Sequence, residues 1–427
     1  MQRVFVLDRN KQPLDPCHPA RARQLLKAGR AAILRQRPFT IILRDRMVAQ
    51  SVVHPHRVKI DPGSTTTGIA LVQEEISRVV WAGELHHRGE QIKHKLLARR
   101  ALRRNRRTRQ CRYREPRFQN RRRPAGWLPP SRWSRVANIL TWVDRLRRWA
   151  PVAALAVELA KFDTQKLLHP EISGSEYQQG ELLGYEIREY LLEKWGRGCA
   201  YCGATGIPLE IDHIVPKGSG SDRVSNLTLA CRKCNQEKGH RTAAEFGHPE
   251  VQARARQPLQ AAAAINATRW ALWRALGETG LPVEAGTGGR TKYNRIRLHL
   301  PKAHWTDAAC VGASGAQVHV PPALTPLIVQ ATGHGKRQRC GTDRYGFPIR
   351  HAPRAKKYRG FQTGDLVRAT IPQGKFAGVH VGRVAIRHRP SFRLNGFDVH
   401  PKHLTIIQRA DGYEYDVGTE WTASPAA

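Results

Sequence analysis

Apolar and polar positions alternate from the start of the chain. "RVFVLD" reads as a strand, "RNKQPLDP" as turn and loop, and "RARQLLKAG" as a short helix stopped at Gly29. "AAILRQRPFTIILRD" reads as two strands parted by Pro38. From Arg57, "RVKIDPGSTTTGIALVQ" gives a strand ending at Asp61, a tight turn and a second strand, and "SRVVWAGELHH" gives a third. The result is a meander with one carboxylate at its tip. Helical spacing then takes over in "SRWSRVANILTWVDRLRRWAP", and "VAALAVELAKFD" follows as a buried strand with Glu158 at its end. "SEYQQGELLGYEIREYLLEKWG" and "AAAAINATRWALWRALGETG" both predict helices. "YNRIRLHLPKAHWTDAACVGA" reads as a strand, a loop and a small-residue helix bearing His304 and Asp307. From about Gly333, short alternating runs between Gly-rich turns suit a small β barrel.

Charge changes this picture. The 427 residues carry 72 Lys+Arg against 34 Asp+Glu, a formal net charge of +38, which makes a polyanion the expected partner. No apolar run reaches the roughly 18 residues of a membrane span. "MQRVFVLDRNKQ" lacks a signal-peptide core, so a soluble cytoplasmic protein is expected. The charge concentrates in "LARRALRRNRRTRQCRYREPRFQNRRR", which has no acid before Glu115. Such a helix repels itself in water unless phosphates face it on several sides. Leu96, Leu97 and Leu102 give it an apolar edge. Arg99, Arg100, Arg103, Arg104, Arg106, Arg107, Arg109, Arg112 and Arg114 are the expected nucleic-acid contacts, and arginine suits bidentate phosphate binding.

Two constellations carry chemistry. Cys199, Cys202, Cys231 and Cys234 form two C-x-x-C pairs, a spacing that closes a tetrahedral zinc site in a module too small for a core of its own. Between the pairs lies "EIDHIVPKG", an Asp-His step flanked by apolar residues. The frame resembles the HNH nucleases and their ββα-metal fold. That resemblance makes His213 the general base, gives Asp212 and Asn235 one Mg²⁺, and lets Asn226 orient His213. The second constellation is dispersed: Asp61, Glu158 and Asp307 each end a strand or sit on a short helix, with His304 three residues before Asp307. Three converging carboxylates need cations between them, and two Mg²⁺ about 4 Å apart would serve. "DPGSTTTG" alone also resembles the phosphate loop of actin-like ATPases, but the second Asp-Gly loop and the adenosine-binding Gly motif that reading requires do not follow.

The order of these parts resembles the IscB family, transposon-encoded relatives of the CRISPR type II effector nuclease. "KIDPGSTTTGIALV", "LAVELAKFD" and "HWTDAACVGA" match the three pieces of its split RNase H-like (RuvC-like) domain, and the Arg-rich run matches its bridge helix. "QPLDPCHPARARQLLKAGRA" matches the N-terminal domain named for a Pro-Leu-Met-Pro motif, with Asp15 in place of Met. "DRYGFPIRH" and "GFQTGDLVRA" match the C-terminal region that contacts a target-adjacent motif. The fold implied is a multidomain α/β chain: an N-terminal αβ domain at 1–55, RuvC-like pieces at 56–90, 126–195 and 246–330, the bridge helix at 91–125, a zinc-binding HNH module at 196–245, and a β-barrel-like C-terminal domain at 331–427. The function implied is RNA-guided, Mg²⁺-dependent DNA cleavage by a monomer bound to a structured guide (omega) RNA and to double-stranded target DNA. The HNH centre would cut the paired strand, the RuvC-like centre the displaced one. A guide-free HNH homing or repair nuclease and a non-catalytic RNA-binding scaffold are the alternatives.

Overall fold

The computed structural model describes residues 2–108, 127–159, 191–192, 194–222, 224–256, 260–333, 340–345, 347–351, 355–387 and 391–418, without the side chains of 106–108 and 260–267. The N-terminal unit is a four-stranded sheet of β1 (Val4–Leu7), β2 (Pro13–Cys17), β3 (Ala31–Arg35) and β4 (Thr40–Leu43), ordered β2-β1-β4-β3. One helix, α1 (Pro19–Lys27), joins it, and Gly29 beyond its end takes a left-handed φ of 69°. The sequence reading placed "PLDP" in a loop. It is instead the edge strand β2, where Pro13 and Pro16 are tolerated because an edge leaves N–H positions unpaired.

The centre is a seven-stranded sheet gathered from distant parts of the chain. The expected meander forms as β5 (His56–Pro62), β6 (Thr66–Gln73) and β7 (Arg78–His86). Two helices follow, α2 (Gly89–Thr108) and α3 (Pro130–Trp149), and then β8 (Val152–Glu158). The chain next builds a separate small unit from β9 (Leu209–His213), β10 (Leu227–Cys231), α4 (Arg232–Lys238) and α5 (Pro249–Arg256). It then returns through α6 (Gln260–Gly277), β11 (Val283–Gly286), α7 (Gly288–Arg297), α8 (His304–Ala309) and β12 (Leu327–Ala331). Among the C-terminal strands, β13 (Leu366–Ile371), β14 (Gly378–Arg383) and β15 (Leu404–Gln408) form a three-stranded sheet. The last strand, β16 (Tyr413–Val417), leaves that unit and pairs antiparallel with β12. The central order is therefore β11-β8-β5-β6-β7-β12-β16, with β8 parallel to both β5 and β11. The C-terminal part is β-rich as expected. Its remaining described strands pair as short hairpins, and among the described residues no closed ladder forms.

Each face of the central sheet has its own core. On one, Val58, Ile60, Ile69 and Leu71 pack against Val136, Ile139, Val143 and Leu146 of α3, and Trp81 stacks on Trp142 with ring centroids 5.7 Å apart. Burying side chains of this size contributes about 1.5–3 kcal/mol each. On the other face, Ala70, Val72 and Ala82 pack under Trp305, Ala308 and Ala309 of α8. The inserted unit has a third core, built on Trp195, Tyr201, Ile214 and Leu229.

The segment "YNRIR" was expected to be a strand and lies instead in α7. Its alternation is also compatible with a helix, and the local signal decides: the Thr287 hydroxyl accepts from the Arg290 N–H at 3.3 Å, capping the first turn. The helix expected at 175–196 lies almost wholly outside the described residues. No helix among the described residues is long and apolar enough to cross a membrane.

Candidate nuclease centres

The first centre lies where β5 and β8 end. Ile60 pairs with Val157, so Asp61 and Glu158 come next on adjacent parallel strands, and Glu158 pairs in turn with Gly286 of β11. α8 brings the remaining residues from across the sheet. Its first turn rests on Gly68, where a Cβ would stand 1.8 Å from the His304 carbonyl oxygen. A side chain there would push the helix off, so the close approach requires glycine. His304 Nδ1 lies 3.5 Å from Asp61 Oδ2. The Asp61 hydrogen bond raises the His304 pKa against the opposing effect of burial. Burial, and then the Asp61 charge, push the Asp307 carboxyl up.

The Asp61–Asp307 repulsion is what a divalent cation would relieve, and carboxylate oxygens with one imidazole are donor types that suit Mg²⁺, although no three of these side chains as they stand come within metal-holding distance of one another. One acid already has a cationic partner, and a second buried cation braces the helix. Arg295 Nε donates to Asp307 Oδ1 at 2.6 Å, and Lys59, fully buried on β5, donates to the Val311 carbonyl at 2.8 Å beyond the end of α8. Arg135 of α3 donates to the Ser64 carbonyl at 2.6 Å and so holds the turn that follows Asp61. Beside Glu158 is a cavity of about 10 Å³, lined also by Pro62, Arg135 and Arg269.

The second centre is the inserted unit. β9 and β10 are antiparallel, with Asp212 opposite Thr228 and His213 opposite Leu227, and α4 packs on the pair. Successive strand residues face opposite sides, so Asp212 and His213 diverge. Asp212 turns inward: Oδ2 accepts from Tyr201 Oη at 2.5 Å and Oδ1 from Lys238 Nζ at 3.2 Å. His213 turns outward, with Nε2 2.7 Å from Asp222 Oδ1, a contact that lowers the Asp222 pKa. The hydrogen bonds of the Asn226 side chain do not go to the imidazole. It ties the loop between His213 and Asp222, accepting from Val215 N and donating to the Val215 and Ser221 carbonyls, each at 2.9 Å. Gly220 lies under that clamp, where a Cβ would meet the Val215 oxygen at 2.3 Å. Asn235 donates to Glu210 Oε2 at 2.7 Å. With both Asp212 oxygens engaged and Asn235 paired to Glu210, these two side chains as they stand do not form a Mg²⁺ seat.

The four cysteines do converge. Their sulfurs all lie within 4.8 Å of one another, the only such metal-holding group among the described residues. Tetrahedral zinc with Zn–S near 2.3 Å implies sulfurs about 3.8 Å apart, and Cys202 Sγ lies 3.9 Å from Cys231 Sγ. Burial alone would raise the Cys199 thiol, but the backbone N–H groups of Cys202, Cys231 and Tyr201 outweigh it and push it down to about 7. Burial pushes the Cys234 thiol of the same cage up, so the fit to zinc rests on the convergence of the four sulfurs.

Of the Arg-rich helix, Arg99, Arg100, Arg103 and Arg104 are exposed on α2, whose first residue abuts Ser131 of α3. Arg106 and Arg107 fall within α2 without described side chains, and Arg109, Arg112 and Arg114 lie outside the described residues. Sequence reasoning missed Lys59, Arg135, Arg295, Tyr201, Asp222 and Lys238. Each acts on a partner remote in sequence or in a loop, and only Asp222, nine residues from His213, was within reach of a local signal.

Comparison with known proteins marks out the inserted unit. Residues 4–180 match the family of RRXRR proteins and residues 199–241 match the HNH endonucleases. No curated protein is significantly similar to the chain. Among solved structures, Streptococcus thermophilus Cas9 in complex with the GGAA PAM is 13% identical at a TM-score of 0.24, covering 60% of this chain and 32% of its own. The Type II-C Cas9 of Actinomyces naeslundii is 16% identical at a TM-score of 0.17, covering 70% and 44%. The chain thus spans about a third of the Streptococcus protein, and at these scores the likeness places no individual element. An RRXRR region followed on one chain by an HNH endonuclease module with its four-cysteine cluster makes this protein an IscB-like nuclease.

Proposed function

We propose that the protein is an RNA-guided DNA endonuclease with two independent centres, the HNH centre cutting the guide-paired strand and the first centre the displaced strand. The observation that carries this reading is the assembly of the first centre. β5, β8, β11 and α8 come from chain segments on both sides of the HNH module, yet they bring Asp61, Glu158, His304 and Asp307 to one end of one sheet. The meander β7-β6-β5 followed by parallel β8 and β11 is the strand order we assign to a split RNase H-like domain, with piece boundaries as given from the sequence. A guide-free nuclease needs only one such centre, and a scaffold needs neither.

At the HNH centre, Asp222 accepts from His213 Nε2–H. That fixes the tautomer and leaves Nδ1 unprotonated to take a proton from water. Asn226 and Gly220 hold the loop that presents Asp222. Asp212, paired with Lys238, braces the strand under His213, since Lys238 also donates to the His213 carbonyl at 2.7 Å. At the first centre, Mg²⁺ held by Asp61, Glu158 and Asp307 would polarise the scissile phosphate and acidify the attacking water. Asp61 orients His304, Arg295 orients Asp307, and Lys59 anchors the far end of α8. The four cysteines hold structural zinc, and the exposed arginines of α2 grip guide RNA and its heteroduplex. The C-terminal β-rich unit reads the flanking motif.

Strand-labelled target DNA tests this with the RNA supplied. His213→Ala should leave a nickase for the displaced strand, and Asp61→Ala one for the paired strand. Loss of both cuts from either single change, with RNA and DNA binding intact, would refute independent centres. Specific cutting without RNA would favour the guide-free nuclease.

A further inference from the structure

The N-terminal sheet holds a cavity of about 170 Å³ that neither centre uses. Its floor is apolar, formed by Val6, Leu14, Leu25 and Leu43. Its rim is cationic, with Arg21, Arg30 and Arg46 all exposed. Arg30 is paired with Asp45 at 2.5 Å, whereas among the described residues no carboxylate lies within ion-pair distance of Arg21 or Arg46. Asp15 stands in the wall, fixed by the His54 ring and by the His54 backbone N–H at 3.1 Å.

Size, polarity and charge select the ligand together. An aliphatic cavity of about 150 Å³ takes up one benzene-sized ring, so this one accommodates a single flat ring system. The two guanidinium groups at its mouth that lack a carboxylate partner, Arg46 and Arg21 (which donates to the Gln24 amide oxygen at 3.5 Å), call for phosphate. Asp15 and Asp45 are held by His54 and Arg30, but carboxylate oxygens keep further lone pairs that a ring N–H edge can share, and they give nothing to a purely aliphatic guest. We propose that the cavity takes the base of one unpaired nucleotide, with its flanking phosphates on Arg21 and Arg46. The inference rests on the nuclease reading, which supplies two sources of unpaired nucleic acid: guide RNA and the displaced DNA strand.

Cys17 lies half-buried in the cavity wall and reports on occupancy. The full chain is alkylated with a thiol reagent, and the peptide bearing Cys17 is quantified by mass spectrometry for the protein alone, with its co-purifying RNA, and with an unpaired DNA oligonucleotide. A gel shift on the same samples records binding. Base occupancy predicts at least about tenfold slower Cys17 alkylation, the equivalent of about 1.4 kcal/mol of stacking and contact. Protection should vanish in the Arg21→Ala/Arg46→Ala double variant. Protection by RNA alone assigns the guide, and by DNA alone the displaced strand. Equal alkylation in every sample while the gel shift shows binding overturns the inference and leaves the nuclease reading standing, as does protection that persists in the double variant. Failure of both nucleic acids to bind overturns the reading and the inference together.

Discussion

Gly68→Ala is the sharpest single perturbation the structure offers. Gly68 pairs with Asp61 across the β5–β6 ladder, and α8 begins directly on it. The new Cβ would stand 1.8 Å from the His304 oxygen and 2.9 Å from the Trp305 nitrogen, where such contacts are essentially never under 3.0 Å. The contacting atoms are backbone, so no side chain can swing aside, and the start of α8 must retreat by about 1.2 Å. His304 is only 3.5 Å from Asp61 at present, so the retreat breaks that contact and carries Asp307 with it. A misplacement of about 1 Å at reacting groups costs on the order of 10²-fold in rate, and overpacking costs about 1–3 kcal/mol of stability. The assay is single-turnover cleavage of a guide-matched duplex labelled separately on each strand. Displaced-strand cutting should fall on the order of 10²-fold, while the HNH cut, which depends on a separate core, keeps its rate. A displaced-strand rate within about threefold of the parent would refute the placement of α8 on Gly68. Equal loss of both cuts would refute the separation of the two centres.

Three further outcomes are expected. Cys202→Ser should lower bound zinc measured by elemental analysis and abolish the paired-strand cut, because structural zinc supplies on the order of 10 kcal/mol to such modules; full zinc loss with an unchanged paired-strand rate would contradict this. Replacing Arg99, Arg100, Arg103 and Arg104 with alanine should reduce the salt slope of guide-RNA binding by roughly 0.7–0.9 per lost phosphate contact, and an unchanged slope would remove α2 from the RNA interface. Asp15→Met should destabilise the N-terminal sheet in a pH-dependent way. The Asp15 contact raises the His54 pKa, so its stabilisation is complete below the ordinary imidazole value of 6.5 and fades as pH rises through the higher folded value. The melting-temperature gap between parent and variant should therefore be wider at pH 6 than at pH 8.5, and a gap that widens with pH would contradict the pairing.

The main strands and helices were legible because their periodicities are strong and some ends are marked, as at Gly29. What misled was local text that two structures can satisfy. "PLDP" carries turn residues, but an edge strand accepts both prolines. "YNRIR" alternates like a strand, but the buried face of α7, which contains it, is Thr291, Asn294 and Arg295, a polar helical stripe that hydropathy does not register. Asn294 is buried because its amide donates to the Cys310 and Gly312 carbonyls, both at 2.9 Å. Asp15, which stands where the motif has Met, has a built partner in His54.

The chemistry shows the same limit. The zinc cysteines were legible because their spacing is itself the signal. Asp212 was adjacent to His213 in sequence, but the strand pleat sends them to opposite sides, and only the fold reveals that Lys238 and Tyr201 claim Asp212. Lys59 and Arg135 reach carbonyl oxygens of Val311 and Ser64, partners that no side-chain pattern announces.

The measurement that tests the central claim most directly is to express the chain with its flanking genomic DNA, sequence the RNA that co-purifies, and offer that complex a target matched to the RNA's variable end. One discrete, structured RNA, with cutting of both strands only when target and RNA match, is the predicted result. Heterogeneous or absent RNA, with cutting indifferent to any match, would contradict RNA guidance and leave the +38 charge as general affinity for nucleic acid.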